Sequence, residues 1–210
     1  MHHGPKIGIL ALQGASALHA EAVGALGAQP VEVRRPEDLA GVEAVILPGG
    51  ESTTMSRLLD TSGLFDALAL RLGDGLPAFG TCAGMILLAT EILDGRPDQR
   101  CFGAIDVAVR RNAFGRQVDS FEAPLTVAGL TGGDFLATFI RAPVVERVGE
   151  GVEVLATVPG PERTSERDDG PTEEPEAQPV LCRRGPVMVA AFHPELSDDL
   201  RLHQAFLASL

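Results

Sequence analysis

With 210 residues, 45% of them hydrophobic and 22% charged, the chain is long enough for a single domain that buries roughly 70% of the surface its unfolded form exposes, which excludes wholesale disorder. Seventeen Lys and Arg against 29 Asp and Glu give a net charge of −12, so there is no fold-wide basic surface for nucleic acid or anionic lipid. No apolar run approaches the ~20 residues that cross a bilayer, and the opening Met1-His2-His3-Gly4-Pro5-Lys6 lacks a signal-peptide pattern, so no membrane partner is expected and the expected compartment is the cytoplasm.

Short apolar runs at 6–12, 31–33, 44–47 and 78–79 read as strands. Between them, 15–26 carries Leu18, Ala22 and Leu26 at fourfold spacing with Val23 beside them, and 64–72 repeats apolar residues at three and four, as surface helices do. Strands alternating with helices imply a mostly parallel sheet covered on both faces, a three-layer α/β/α arrangement with chemistry at the carboxyl ends of the strands. Residues 85–90 are helical in composition. From 105 onward the pattern turns β-rich, with extended segments expected at 105–109, 125–127, 135–140 and 153–157. Residues 160–178 contain seven acids, two arginines and three prolines but no large apolar side chain, and are expected to form a flexible acidic insert between two strands. A core strand at 186–192 and a helix at 199–210, with Leu200, His203, Phe206, Leu207 and Leu210 on one face, close the single domain 1–210.

Three cysteines without CxxC spacing exclude a disulfide framework and a structural zinc site, and no cofactor or metal is expected. Gly80-Thr81-Cys82-Ala83-Gly84 follows a strand and precedes a helix. This is the pattern of a nucleophile elbow, whose sharp turn needs small residues two positions either side of the nucleophile; a buried structural cysteine at a glycine-rich bend is the alternative. Cys101 and Cys182 lack such a context. A thiol nucleophile needs a base, and of the five histidines only His193 follows an apolar strand and so lies on the same sheet edge as Cys82. Pro194 holds His193 out of the helical region, and alternation in an extended segment would put Glu195 on the same side, so that its carboxylate orients the imidazole. His19 and His203 read as ordinary helix residues. Pro48-Gly49-Gly50-Glu51-Ser52-Thr53 follows the strand 44–47; its glycines let backbone N–H groups approach a ligand, with the N–H of Ala83 as a second oxyanion donor. A phosphate loop is excluded there because GxxxxGK[ST] is absent and Lys6 is the only lysine.

Taken in order, Leu10-Ala11-Leu12-Gln13-Gly14, Pro48 to Thr53, Gly80-Thr81-Cys82-Ala83-Gly84-Met85 and Phe192-His193-Pro194-Glu195-Leu196 make the chain resemble the class I (triad) glutamine amidotransferases, with their flavodoxin-like fold. The strings Arg111-Asn112-Ala113-Phe114-Gly115-Arg116-Gln117 and Phe139-Ile140-Arg141-Ala142-Pro143 narrow the resemblance to the PdxT family, the glutaminase subunits of pyridoxal 5′-phosphate synthase. The resemblance implies hydrolysis of L-glutamine, with ammonia channelled to a PdxS-type synthase subunit. It further implies that Cys82 is the nucleophile, His193 the general acid and base and Glu195 its orienter. Gly49, Gly50, Glu51, Arg111, Ile140 and Arg141 would contact glutamine. Residue type alone does not choose Arg111 over Arg110 or Arg116. The alternatives are a glutaminase for another amidotransferase, a stand-alone cysteine amide hydrolase and a glutamine-binding module without turnover.

Overall fold

The computed structural model describes residues 4–111, 120–160 and 177–210. Strands β1 (Lys6–Leu10), β2 (Gln29–Val33), β3 (Ala44–Leu47), β4 (Ala78–Thr81) and β12 (Val187–Ala190) pair in parallel. All residues of β3, β4 and β12 are buried, as strands covered on both faces must be. Two antiparallel strands, β10 (Glu153–Pro159) and β11 (Ala177–Arg184), extend this sheet to seven in the order β10-β11-β12-β4-β3-β1-β2. The β-rich remainder forms a three-stranded sheet of β5 (Ala89–Ile92), β6 (Ile105–Arg110) and β9 (Val144–Val148), and a ribbon of β7 (Ser120–Leu125) with β8 (Phe135–Ile140).

Side-chain alternation along β4 identifies the two helical layers. Phe79 meets Phe206 and His203 of α5 (Arg201–Leu207), and His203 meets His19 of α1 (Ser16–Ala25), so α1 and α5 share one face. The next residue, Gly80, faces Gly84 and Leu88 of α4 (Ala83–Leu88). Helices α2 (Ser52–Thr61) and α3 (Leu64–Gly73) lie with α4. The mostly parallel sheet between helical layers is the architecture expected from the sequence.

Several details differ. Helix α2 and strands β5, β9 and β11 went unanticipated, the strand expected at 125–127 instead occupies Ser120–Leu125 as β7, and the helix expected at 85–90 runs from Ala83 to Leu88 before the chain turns into β5. On α1 the buried face is His19, Ala22 and Val23, while Leu18 is exposed. On α5 it is Leu202, His203 and Phe206. Of the acidic insert, 161–176 lie outside the described residues; Ala177 and Gln178 belong to β11, where Gln178 Nε2 donates to the Val145 carbonyl at 2.6 Å. Among the described residues no helix is long and apolar enough to cross a membrane.

Candidate active site

Three adjacent parallel strands, β3, β4 and β12, deliver three motifs to one edge of the sheet: Gly49 after β3, Cys82 after β4 and His193 after β12. Cys82 has φ 49° and ψ −104°, one of two described non-glycine residues with positive φ. Its N–H is tied to the Ala190 carbonyl of β12 at 2.8 Å. The turn closes because Gly80 and Gly84 lack side chains: a Cβ on Gly84 would stand 1.9 Å from the Leu47 carbonyl oxygen, and one on Gly80 would stand 2.6 Å from the Gly84 backbone. Glycine is therefore required by close approach of the backbones, whatever the role of the thiol.

His193 Nδ1 lies 2.8 Å from Glu195 Oε1, which leaves the other ring nitrogen for the Cys82 thiol. The histidine and the acid meet through the 3-10 turn Pro194–Leu196, not through the extended alternation expected. The His193 backbone is fixed by its N–H to the Thr138 carbonyl of β8 at 2.9 Å. Burial pushes the His193 pKa down, but hydrogen bonding and charge interaction with Cys82 and Glu195 prevail and hold it well above its ordinary 6.5. For Glu195, burial pushes up, and the hydrogen bond and charge of His193 more than reverse it, keeping the carboxyl below its usual range. A ring held between a thiol and a carboxylate in this way is the arrangement of a nucleophile, its base and the acid that orients the base. Ile140, at the end of β8, brings its carbonyl to 3.9 Å from Cys82 Sγ. Cys182 is buried and its pKa is pushed up by burial to about 11; Cys101 is also raised by burial. Neither is suited to nucleophilic attack.

Gly49 lies against this cluster. A Cβ there would be 2.4 Å from His193 Cε1 and 3.5 Å from Cys82 Cβ. Gly49→Ala is thus expected to displace the imidazole, lowering kcat of the reaction at Cys82 roughly 10²-fold with a stability loss of about 1–3 kcal/mol. Steady-state kinetics and urea unfolding read the two effects; unchanged kcat would show that the ring tolerates the methyl group.

A sequence profile of the SNO glutamine amidotransferase family matches residues 9–210. The chain belongs to the SNO glutamine amidotransferase family. Across 203 residues it is 53% identical to the pyridoxal 5′-phosphate synthase subunit PdxT of Salinispora arenicola, covering 96% of this chain and 94% of that one. To the subunit of the same name from Frankia casuarinae it is 52% identical over 207 residues, covering 99% and 96%. A crystal structure of a glutamine amidotransferase, 48% identical, superimposes with a TM-score of 0.83 over 97% of both chains.

In this SNO family member the remaining expected residues surround the same edge. Glu51 caps α2, its carboxylate accepting from the N–H groups of Thr53 (3.1 Å) and Thr54 (2.6 Å). Burial would raise its pKa, but these contacts lower it. The Glu51 N–H donates to Gln13 Oε1 at 3.1 Å, which fastens the Gly49-Gly50 loop to the turn after β1. Ala83 opens α4 beside Cys82. Arg111 and Arg110, indistinguishable by residue type, diverge: Arg111 donates to Thr53 Oγ1 at 2.8 Å and to the Asp94 carbonyl at 2.9 Å, at the start of α2, whereas Arg110 pairs with Glu146 at 2.8 Å on the surface. Arg116 and the rest of that string, 112–117, lie outside the described residues. Arg141 follows Ile140 with φ 43° and is exposed.

Sequence reasoning passed over two histidines. His19 and His203 are fully buried, their rings joined Nδ1 to Nε2 at 2.9 Å, and His19 Nε2 stands 3.3 Å from Glu195 Oε2. The legible signal was the i, i+3, i+4 spacing of His19, Ala22 and Val23, which sets His19 on the inner stripe of α1. Burial lowers the pKa of both rings; His19 lowers that of His203 further, to about 4, with Glu195 opposing. As the pH falls below the unfolded value of 6.5, the unfolded chain takes up protons that the folded chain refuses. Stability therefore falls with acidification, at up to about 1.4 kcal/mol per pH unit for each histidine. Urea midpoints near about pH 7 and about pH 5 should converge in His203→Phe relative to the unmodified chain. Equal slopes in the two proteins would contradict the buried neutral state.

Proposed function

We propose that this chain is a cytoplasmic glutaminase subunit of a pyridoxal 5′-phosphate synthase, hydrolysing L-glutamine at Cys82 and passing ammonia to a PdxS-type subunit. Its main support is the meeting of a strained cysteine turn, a His193–Glu195 pair and the Gly49 backbone at one sheet edge, in a chain whose relatives bear the name PdxT. The Cys82 thiolate attacks the side-chain amide carbon of glutamine, and backbone N–H groups of the Gly49-Gly50 loop and of Ala83 stabilise the oxyanion. His193 gives its proton to the departing nitrogen, which leaves as ammonia. Water, deprotonated by the same imidazole, then attacks the γ-glutamyl thioester; the C–S bond breaks, glutamate leaves, and the thiolate and protonated imidazole are restored. Glu195 orients the ring throughout. Glu51, Arg111, Ile140 and Arg141, with Gly49 and Gly50, would contact the bound glutamine.

Hydrolysis in the absence of an acceptor would waste glutamine. The Gly49-Gly50 loop, fastened through Gln13 on the exposed rim, is the element through which a docked synthase subunit would bias the oxyanion hole. The test is glutamate release with and without a PdxS-type subunit, followed by detection of pyridoxal 5′-phosphate. The expected result is a low rate alone, stimulation by the partner and formation of the product. No glutamate under either condition would overturn the glutaminase reading, and equal rates would overturn the gating.

A further inference from the structure

The interior behind Glu195 holds polar groups to which the reaction described above gives no task. Glu195 offers Oε1 to His193 Nδ1, but its second oxygen, Oε2, is buried without a hydrogen-bond partner among the described residues. His19 Nε2, on α1, stands 3.3 Å from that oxygen and 3.2 Å from Oγ1 of Thr81, the residue before Cys82. Across the same ring, Nδ1 lies 2.9 Å from Nε2 of His203 on α5. His19, Thr81 and His203 are fully buried. Elements α1, β4, α5 and the turn after β12 thus close on one carboxylate.

We propose that His19 is a positioning residue for the glutaminase reaction: its Nε2–H holds Oε2 of Glu195, and His203 holds His19 in the tautomer that can do so. This deepens the glutaminase reading and rests on it.

An ionised carboxylate only accepts hydrogen bonds, so a favourable contact needs the His19 proton on Nε2. His19 Nδ1 is then an acceptor, and the donor within reach is His203 Nε2–H. This leaves His203 Nδ1, buried and unpaired, as a bare acceptor. The opposite tautomer would aim a His19 lone pair at Oε2 and bury an unpaired N–H on His203, at the full desolvation penalty. Both histidines must be neutral in this chain, in keeping with their pKa values, which burial pushes down. An Nε2–H 3.3 Å from Oε2 opposes any swing of the carboxylate away from His193. Misplacement by about 1 Å at such a position costs roughly 10²-fold in rate.

The test uses the full chain with its synthase partner and compares His19→Gln with His19→Asn. The glutamine amide nitrogen reaches the position of His19 Nε2; the asparagine one stops near Nδ1. His19→Gln should stay close to the unmodified kcat. His19→Asn should lose roughly tenfold to a hundredfold in kcat with KM for glutamine unchanged. It should also move the alkaline limb of kcat/KM to lower pH, because a loosened Glu195 supports the His193 imidazolium less well. Among the described residues the titratable groups that act on His193 are Cys82 and Glu195, with His19 behind Glu195 and His203 behind His19. Unchanged kcat and limb in His19→Asn, equal loss in both variants, or a change in KM alone would overturn the proposal. Independently of either variant's folding, nitrogen-15 imidazole spectra of the unmodified chain should show His19 neutral and protonated at Nε2; a proton on Nδ1 would overturn it. Failure of the glutaminase reading is distinguishable, since the unmodified complex would then release no glutamate.

Discussion

Cys82→Ala is expected to cut glutamine hydrolysis by a factor on the order of 10⁶, down to what substrate binding and the oxyanion donors supply without a nucleophile. The loss follows from the division of labour at the sheet edge: no other thiol is near His193, and Cys101 and Cys182 are held protonated by their surroundings. Because the side chain points into the site from a turn whose shape is set by Gly80 and Gly84, alanine should leave the fold and partner docking intact. An unfolding midpoint close to that of the unmodified chain, together with glutamate release reduced to background, is the expected pair of observations. His193→Ala should lose nearly as much, and combining it with Cys82→Ala should cost little more, since the two groups act as a unit. Losses that multiply would mean that thiol and imidazole work separately.

Glu195→Gln is expected to lower kcat by about 10⁴ while KM for glutamine changes little, by analogy with neutralising the acid of other nucleophile–base–acid triads. The substitution keeps the volume, but an amide nitrogen facing His193 Nδ1 would demand the wrong ring tautomer. It also removes the charge that helps hold the His193 pKa up, so the imidazolium should persist over a narrower pH range. Comparing the kcat/KM profile of the variant with that of the unmodified complex measures this directly. A variant that keeps both rate and profile would leave Glu195 with a structural role only.

The parts of the site that could be read in advance are those set by short-range rules. Cys82 stood out because glycines at 80 and 84 bracket it, and the backbone of each does approach too closely for a side chain. Gly49, Cys82 and His193 could be assigned to one edge because each ends an apolar run, and parallel strands place such ends together. Helix α2 was obscured by its own start, Ser52-Thr53-Thr54, which reads as a loop until the Glu51 cap is seen to satisfy its first N–H groups. Periodicity misled on α1, where Leu18 was assigned inward and proves exposed while His19 is buried. The spacing of Ala22 and Val23 marks His19 as inward, but it cannot name the partner that makes its burial tolerable, His203, 184 positions away. That Arg110 turns to the surface while Arg111 turns toward the start of α2 likewise depends on partners from distant segments, Glu146 and Thr53.

The most direct measurement of the central claim, that glutamine is attacked by the sulfur of Cys82, is covalent capture with an electrophilic glutamine analogue carrying a chloromethyl ketone in place of the side-chain amide. Peptide mass spectrometry of the inactivated complex should find the label on Cys82, with glutamine protecting against both labelling and loss of activity. Inactivation with the label on Cys101 or Cys182, or inactivation that glutamine does not slow, would contradict the account.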